Sequence, residues 1–286
     1  MAQKLGKANY KQGKAKMHIE LKKLFDRIET YIVITICLLA AALSLLASNA
    51  SYPISAANVL SSYQAAMIYG GGFSEMFSAI MLPACAVLPF VDSYFMEKRH
   101  GSLACSLTRQ SRARYIGNKA LVVFFSSISV VFIAYFVNQM LCFIAYPSAE
   151  TRGFIAGNIY NNPVWQEVMH TPTPSLYMNN KLFLNFTHIG YACLYAGAIA
   201  LLGYSLSLYI YKNKTVANLL PIAIPLIWTF VGFYLFGADY SPSYGIISSP
   251  TYSITSLMPS LLIILFIYLA SIVGIALRCY HFKDEL

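Results

Sequence analysis

Long apolar runs separated by short polar segments organise this chain. Six of them, at 31–48, 73–95, 120–146, 186–210, 216–237 and 258–278, fall near the ~20 residues that carry a helix across a hydrocarbon core of roughly 30 Å. They are continuous rather than alternating, so the pattern predicts membrane helices and not barrel strands. The first run follows a long basic stretch and lacks a clear cleavage site, so it reads as a retained span. Ahead of it, Met17, Leu21, Leu24, Phe25 and Ile28 recur at helical spacing, with Lys22, Lys23, Asp26 and Arg27 mostly opposite. That pattern predicts an amphipathic helix, either lying in the membrane plane or forming a solvated lead-in. The expected fold is therefore an all-α membrane protein of one domain, 1–286. It comprises a basic lead-in (1–30), a six-span bundle (31–278) and a short tail (279–286).

Composition agrees: 58% of residues are hydrophobic and 11% charged, against about 25% charged in soluble domains. The net charge of +9 sets orientation. Lysines and arginines crowd the first 30 residues, the 96–119 connection, Lys212 and Lys214, and the tail, leaving only Arg152 and Lys181 on the other side. The positive-inside rule then places both termini in the cytoplasm. The excess charge needs no nucleic acid and suits anionic lipid instead. The terminal Lys283-Asp284-Glu285-Leu286 matches a lumenal retention signal, but an even number of spans puts it on the cytoplasmic side.

Chemistry of the catalytic kind is sparse. The histidines at 18, 100, 170, 188 and 281 have no second ligand at useful spacing, and the six cysteines show no metal-ligand or disulfide pattern. Glu75 and His188 fall near the outer ends of spans and read as interface residues rather than relays. No catalytic, cofactor or metal site is expected. Gly6-Lys7 and Gly13-Lys14 lack the spacing of a phosphate-binding loop, so any ATP-Mg must bind elsewhere. Several features leave alternatives open. The loop at 237–258 is either re-entrant or an ordinary outer loop. Ala192, Ala196 and Ala200 form a small-residue stripe suited to close helix packing, within the chain or else at a dimer face. Pro221 and Pro225 should kink their span. A short amphipathic helix is expected around Val164–His170.

The most informative polar stretch lies between the second and third runs. Span two should continue as helix through Glu97 and stop at Gly101, a residue suited to left-handed backbone. Ser102 can cap a short helix carrying Leu103, Ala104 and Leu107, and Ser111 can cap the next, where Arg112 meets the headgroups. Glu97-x-x-x-Gly101-Ser102, then Leu107, Ser111-Arg112 and Lys119, resembles the type-2 ABC transporter permeases. One departure is Arg109-Gln110, where members of that family often carry proline. The resemblance implies that this stretch, with Glu97, Gly101, Ser102, Leu103, Leu107 and Arg112, forms a coupling helix docking on separate ABC ATPase subunits. It further implies pairing with a second, identical or different, permease subunit. The function expected on this basis is ATP-driven export of an amphipathic or hydrophobic substrate across a bacterial plasma membrane. Family members of this size also include exporters concerned with peptides and bacteriocin immunity. The rival reading is a membrane scaffold or sensor subunit that docks a soluble partner without transporting anything.

Overall fold

The computed structural model describes residues 20, 22–51, 61–69, 72–101, 103, 108, 111–148, 180–210, 213–247 and 254–281. Among these residues every regular element is a helix. Five are long and apolar enough to cross a membrane: α1 (Ile28–Ser51), α5 (Arg112–Ala145), α6 (Lys181–Tyr209), α7 (Lys214–Phe236) and α9 (Met258–His281). By length and composition the protein is multi-pass and membrane-embedded. Between α1 and α5 lie the short helices α2 (Gly72–Met76), α3 (Leu82–Val87) and α4 (Ser93–Arg99). A one-turn helix, α8 (Pro242–Gly245), follows α7.

The run at 73–95 is thus not the uninterrupted helix its hydropathy predicts. Residues Phe77–Met81 form a π-helical turn between α2 and α3, closed by Leu82 N–H donating to the Phe77 carbonyl. Pro83 follows immediately and has no N–H to offer the preceding turn. A second break at 88–92 contains Pro89. Such interruptions are tolerated at membrane depth only where protein covers them. Here Phe77, Leu82, Val87, Phe90 and Val91 are all buried. The proline pair in α7 behaves differently, because helix continues through both Pro221 and Pro225.

The core is organised around α6, which packs on α5, α9, α7 and α3, while α1 packs on α5. Ala192, Ala196 and Ala200 are completely buried, so the small-residue stripe is spent on packing inside the chain. Gly197 shows why: a Cβ there would meet the Phe124 ring and the Tyr268 hydroxyl at 2.7 Å.

Two segments tuck back among the helices. Residues 61–69 are held by amides from α5 and α6. Asn138 Oδ1 accepts from Met67 N at 2.6 Å, its Nδ2 donates to the Ala41 carbonyl at 2.8 Å, and Gln139 Nε2 donates to the Ser62 carbonyl. Asn185 Nδ2 donates to Gln139 Oε1 at 2.8 Å and to the Tyr63 carbonyl at 3.2 Å. Its amide is therefore occupied and buried. The second segment, 238–247, is pinned by His188 Nδ1 at 3.2 and 3.1 Å from the Gly245 and Ile246 carbonyls. Thr229 bonds Ser243 at 2.7 Å and Tyr195 bonds it at 3.3 Å. His188 lies seven residues, about 10 Å, into α6. The loop therefore reaches roughly two turns below the helix end, and His188 is buried against it rather than at an interface.

Candidate functional site

Glu97 lies near the end of α4, and two other elements converge on it. From the lead-in, Lys23 Nζ is 2.8 Å from Glu97 Oε1 and 2.9 Å from Glu20 Oε1. From α5, Lys119 Nζ is 3.1 Å from Glu97 Oε1, and the Tyr115 hydroxyl donates a short hydrogen bond to Glu97 Oε2. Lys119 also sits 5.1 Å over the Tyr115 ring. Tyr204 of α6 reaches the same region, donating to the Ile116 carbonyl at 3.2 Å. One turn away, Arg27 pairs with Asp92 at 2.6 Å and lies over the Phe90 ring at 4.9 Å. The lead-in is thus clasped twice along the chain segment that ends in α4, at Lys23–Glu97 and at Arg27–Asp92.

Each contact has a local origin. Lys23 and Arg27 are four apart, Tyr115 and Lys119 are four apart, and helical residues so spaced share a face. Asp92 and Glu97 are five apart, one more than Lys23 and Arg27, and the pairing Lys23–Glu97 with Arg27–Asp92 makes the two chain segments run antiparallel. Gly101 then adopts φ 71°, the left-handed stop expected of it, with its N–H donating to the Lys98 carbonyl at 3.3 Å. Ser111 occupies the N-cap position of α5 with extended backbone, but its side chain makes no capping bond.

Lys119 is 0% exposed although it lies seven residues inside a membrane-length helix. A buried cation is tolerated only when paired. Two carboxylates, Glu20 and Glu97, balance two ammonium groups, Lys23 and Lys119. Burial acts to raise the Glu97 pKa, but the Lys119 charge, with help from Lys23 and Tyr115, outweighs it and holds the carboxyl below its ordinary range. For Lys23, burial acts to lower the pKa, and bonding to Glu97 and Glu20 outweighs it, so its amine is held above the ordinary value.

The sequence-predicted residues fare unevenly. Glu97 is the hub. Leu103 is half-buried and packs against the hydrophobic core, so it does not lie on a free apolar face. Arg112 is the first residue of α5. Ser102, Ala104, Leu107 and Arg109-Gln110 lie outside the described residues, as do Met17, Leu21, the 164–170 segment and the tail beyond His281. The amphipathic face splits: Leu24 is 5% exposed and belongs to the core, whereas Phe25 and Ile28 are 55% and 70% exposed. The cause is a break at Asp26–Arg27, which assigns Ile28 to α1 and rotates it away from Leu24. Sequence reasoning missed Lys23, Tyr115, Glu20, Arg27 and Asp92 as partners. The signal for them was the scarcity of acidic residues beside a basic end, where Asp92 and Glu97 must each find a cation.

Elsewhere, an apolar cavity of about 760 Å³ lies between α6, α7 and α9, lined among others by Ile199, Pro225, Trp228, Leu262 and Phe266. Among the described residues no cluster of side chains is arranged to hold a metal ion. No family profile, curated protein or solved structure matches the chain.

Proposed function

We propose that this protein is the membrane-spanning permease subunit of an ATP-driven exporter of the type-2 ABC class, working with a separate ATPase. In this reading the broken segment 73–95 is the second of six spans, both termini are cytoplasmic, and the connection from Glu97 to Arg112 docks on the ATPase. The observation that carries it is the junction itself. A helix stopped by left-handed Gly101, restarting at Ser111 and braced at Glu97 by charges from two other elements, is built to receive force rather than to trail as a tether. The cavity between α6, α7 and α9 has an apolar lining, which favours a hydrophobic or amphipathic passenger over an ion. ATP-Mg belongs to the partner, and a second permease copy or relative completes the path.

The test is to co-purify the chain with a candidate partner ABC ATPase and to measure ATP hydrolysis after Leu107→Asp and Arg112→Glu. Loss of assembly, or of stimulated hydrolysis, is the expected result. Wild-type assembly and stimulation in both variants would overturn the assignment of this stretch.

A further inference from the structure

Glu97 is shared by two lysines that differ in kind. Lys119 is wholly inside the bundle, while the Lys23 side chain is 41% exposed. We infer that Lys23 is the bolt of a releasable latch, a positioning residue that fastens the lead-in segment 20–25 to the end of α4. The bolted state bridges two carboxylates, Glu20 and Glu97, through one ammonium group. Withdrawing Lys23 into water leaves Glu97 still paired with Lys119 and bonded by Tyr115, so release strands no buried charge in the bundle. Glu20 behaves in the opposite way. It is buried, its Oε2 has no hydrogen-bond partner, and without Lys23 it keeps no direct ion pair, only the more distant Lys119 charge that it shares with Glu97. Release of Lys23 therefore expels Glu20 with it.

The lead-in has a pivot for this motion. Its helix breaks at Asp26–Arg27, immediately before α1. Arg27 is held separately by Asp92 and by the Phe90 ring. Glu20 and residues 22–25 can thus swing about Arg27 once the Leu24 carbonyl gives up the Thr30 hydroxyl, 2.8 Å away, while α1 stays packed on α5. Leu24, seated in the core, favours the closed state. The latch concerns contacts within this chain, goes beyond the permease reading and does not depend on it.

Hydrogen–deuterium exchange of the full chain in phosphatidylcholine nanodiscs tests it with no ATPase present. In Lys23→Gln, exchange over residues 20–27 should rise roughly tenfold or more, with 92–99 and 112–119 unchanged. Lys23→Arg should restore protection. Raising salt from about 0.05 to about 0.5 M should loosen the same residues in the wild type, because a half-exposed ion pair is screened. Wild-type exchange in Lys23→Gln would overturn the latch. So would an increase spread equally over 112–119, since the lysine would then be a general structural strut.

Discussion

The sharpest energetic prediction concerns the pair Glu97 and Lys119. Glu97→Gln removes the carboxylate that lies 3.1 Å from an ammonium group with 0% exposure. Removing one partner of a buried ion pair typically costs about 3–5 kcal/mol, because the remaining charge stays desolvated. Lys119→Met should be milder, at about 1–3 kcal/mol. Glu97 would keep Lys23 at 2.8 Å and the Tyr115 hydroxyl, and methionine fills a similar volume. The double variant Glu97→Gln with Lys119→Met strands no charge and should recover to within about 1–2 kcal/mol of the wild type, so the cycle should show strong coupling. The assay is reversible unfolding of the full chain in mixed micelles, followed by the fluorescence of Trp165 and Trp228. Two results would refute the reasoning. One is additive losses, which would mean the groups do not sense each other. The other is Lys119→Met exceeding Glu97→Gln, which would make the lysine stem, rather than its charge, the important element.

Two further outcomes can be checked. The Glu97 carboxyl is held below the ordinary range near 4.3, so its contribution is present above that pH and is lost only as pH falls through its lower folded value. Lys23 is held above about 10.4, so its contribution is present below that pH and lost as pH rises through its folded value. Glu20, Tyr115 and Lys119 complete the cluster. The difference in melting temperature between wild type and Glu97→Gln should therefore shrink as pH falls below about 5, and a difference that persists unchanged down to about pH 3 would contradict the geometry. In the middle of the chain, Asn138→Leu leaves Met67 N and the Ala41 carbonyl without their partner. A loss of about 1–3 kcal/mol is expected, with proteolytic sensitivity appearing around 61–69, and unchanged stability would deny the amide its role as an anchor.

How much of this was written in the pattern of residues depends on the range of the interaction. The long spans were legible because roughly 20 apolar residues have few other uses, and Gly101 was legible because its left-handed backbone is a local property. The run at 73–95 was misjudged as one continuous helix because hydropathy does not register a π turn, and because Pro83 and Pro89 leave a run apolar while breaking its hydrogen bonding. The contacts of Glu97 join segments up to 74 positions apart, which no local period encodes. Lys119 was placed in a connection because the apolar run begins after it, yet the helix begins at Arg112 and carries it inside. The Asn138, Gln139 and Asn185 network escaped notice for another reason. Uncharged amides scarcely disturb hydropathy, although they determine where 61–69 sits.

That network also dictates a timetable. The tucked segment 61–69 leaves the ribosome before any of its anchors. Asn138 lies 71 positions later than Met67, and Asn185 lies 122 positions later than Tyr63. At about 5–20 residues per second, the segment waits roughly 6–25 s between its own synthesis and arrival of the last amide that fastens it. During that interval Met67 N must be served by water or by the insertion machinery. Biogenesis of this protein thus includes an interval in which 61–69 is already made but not yet fastened.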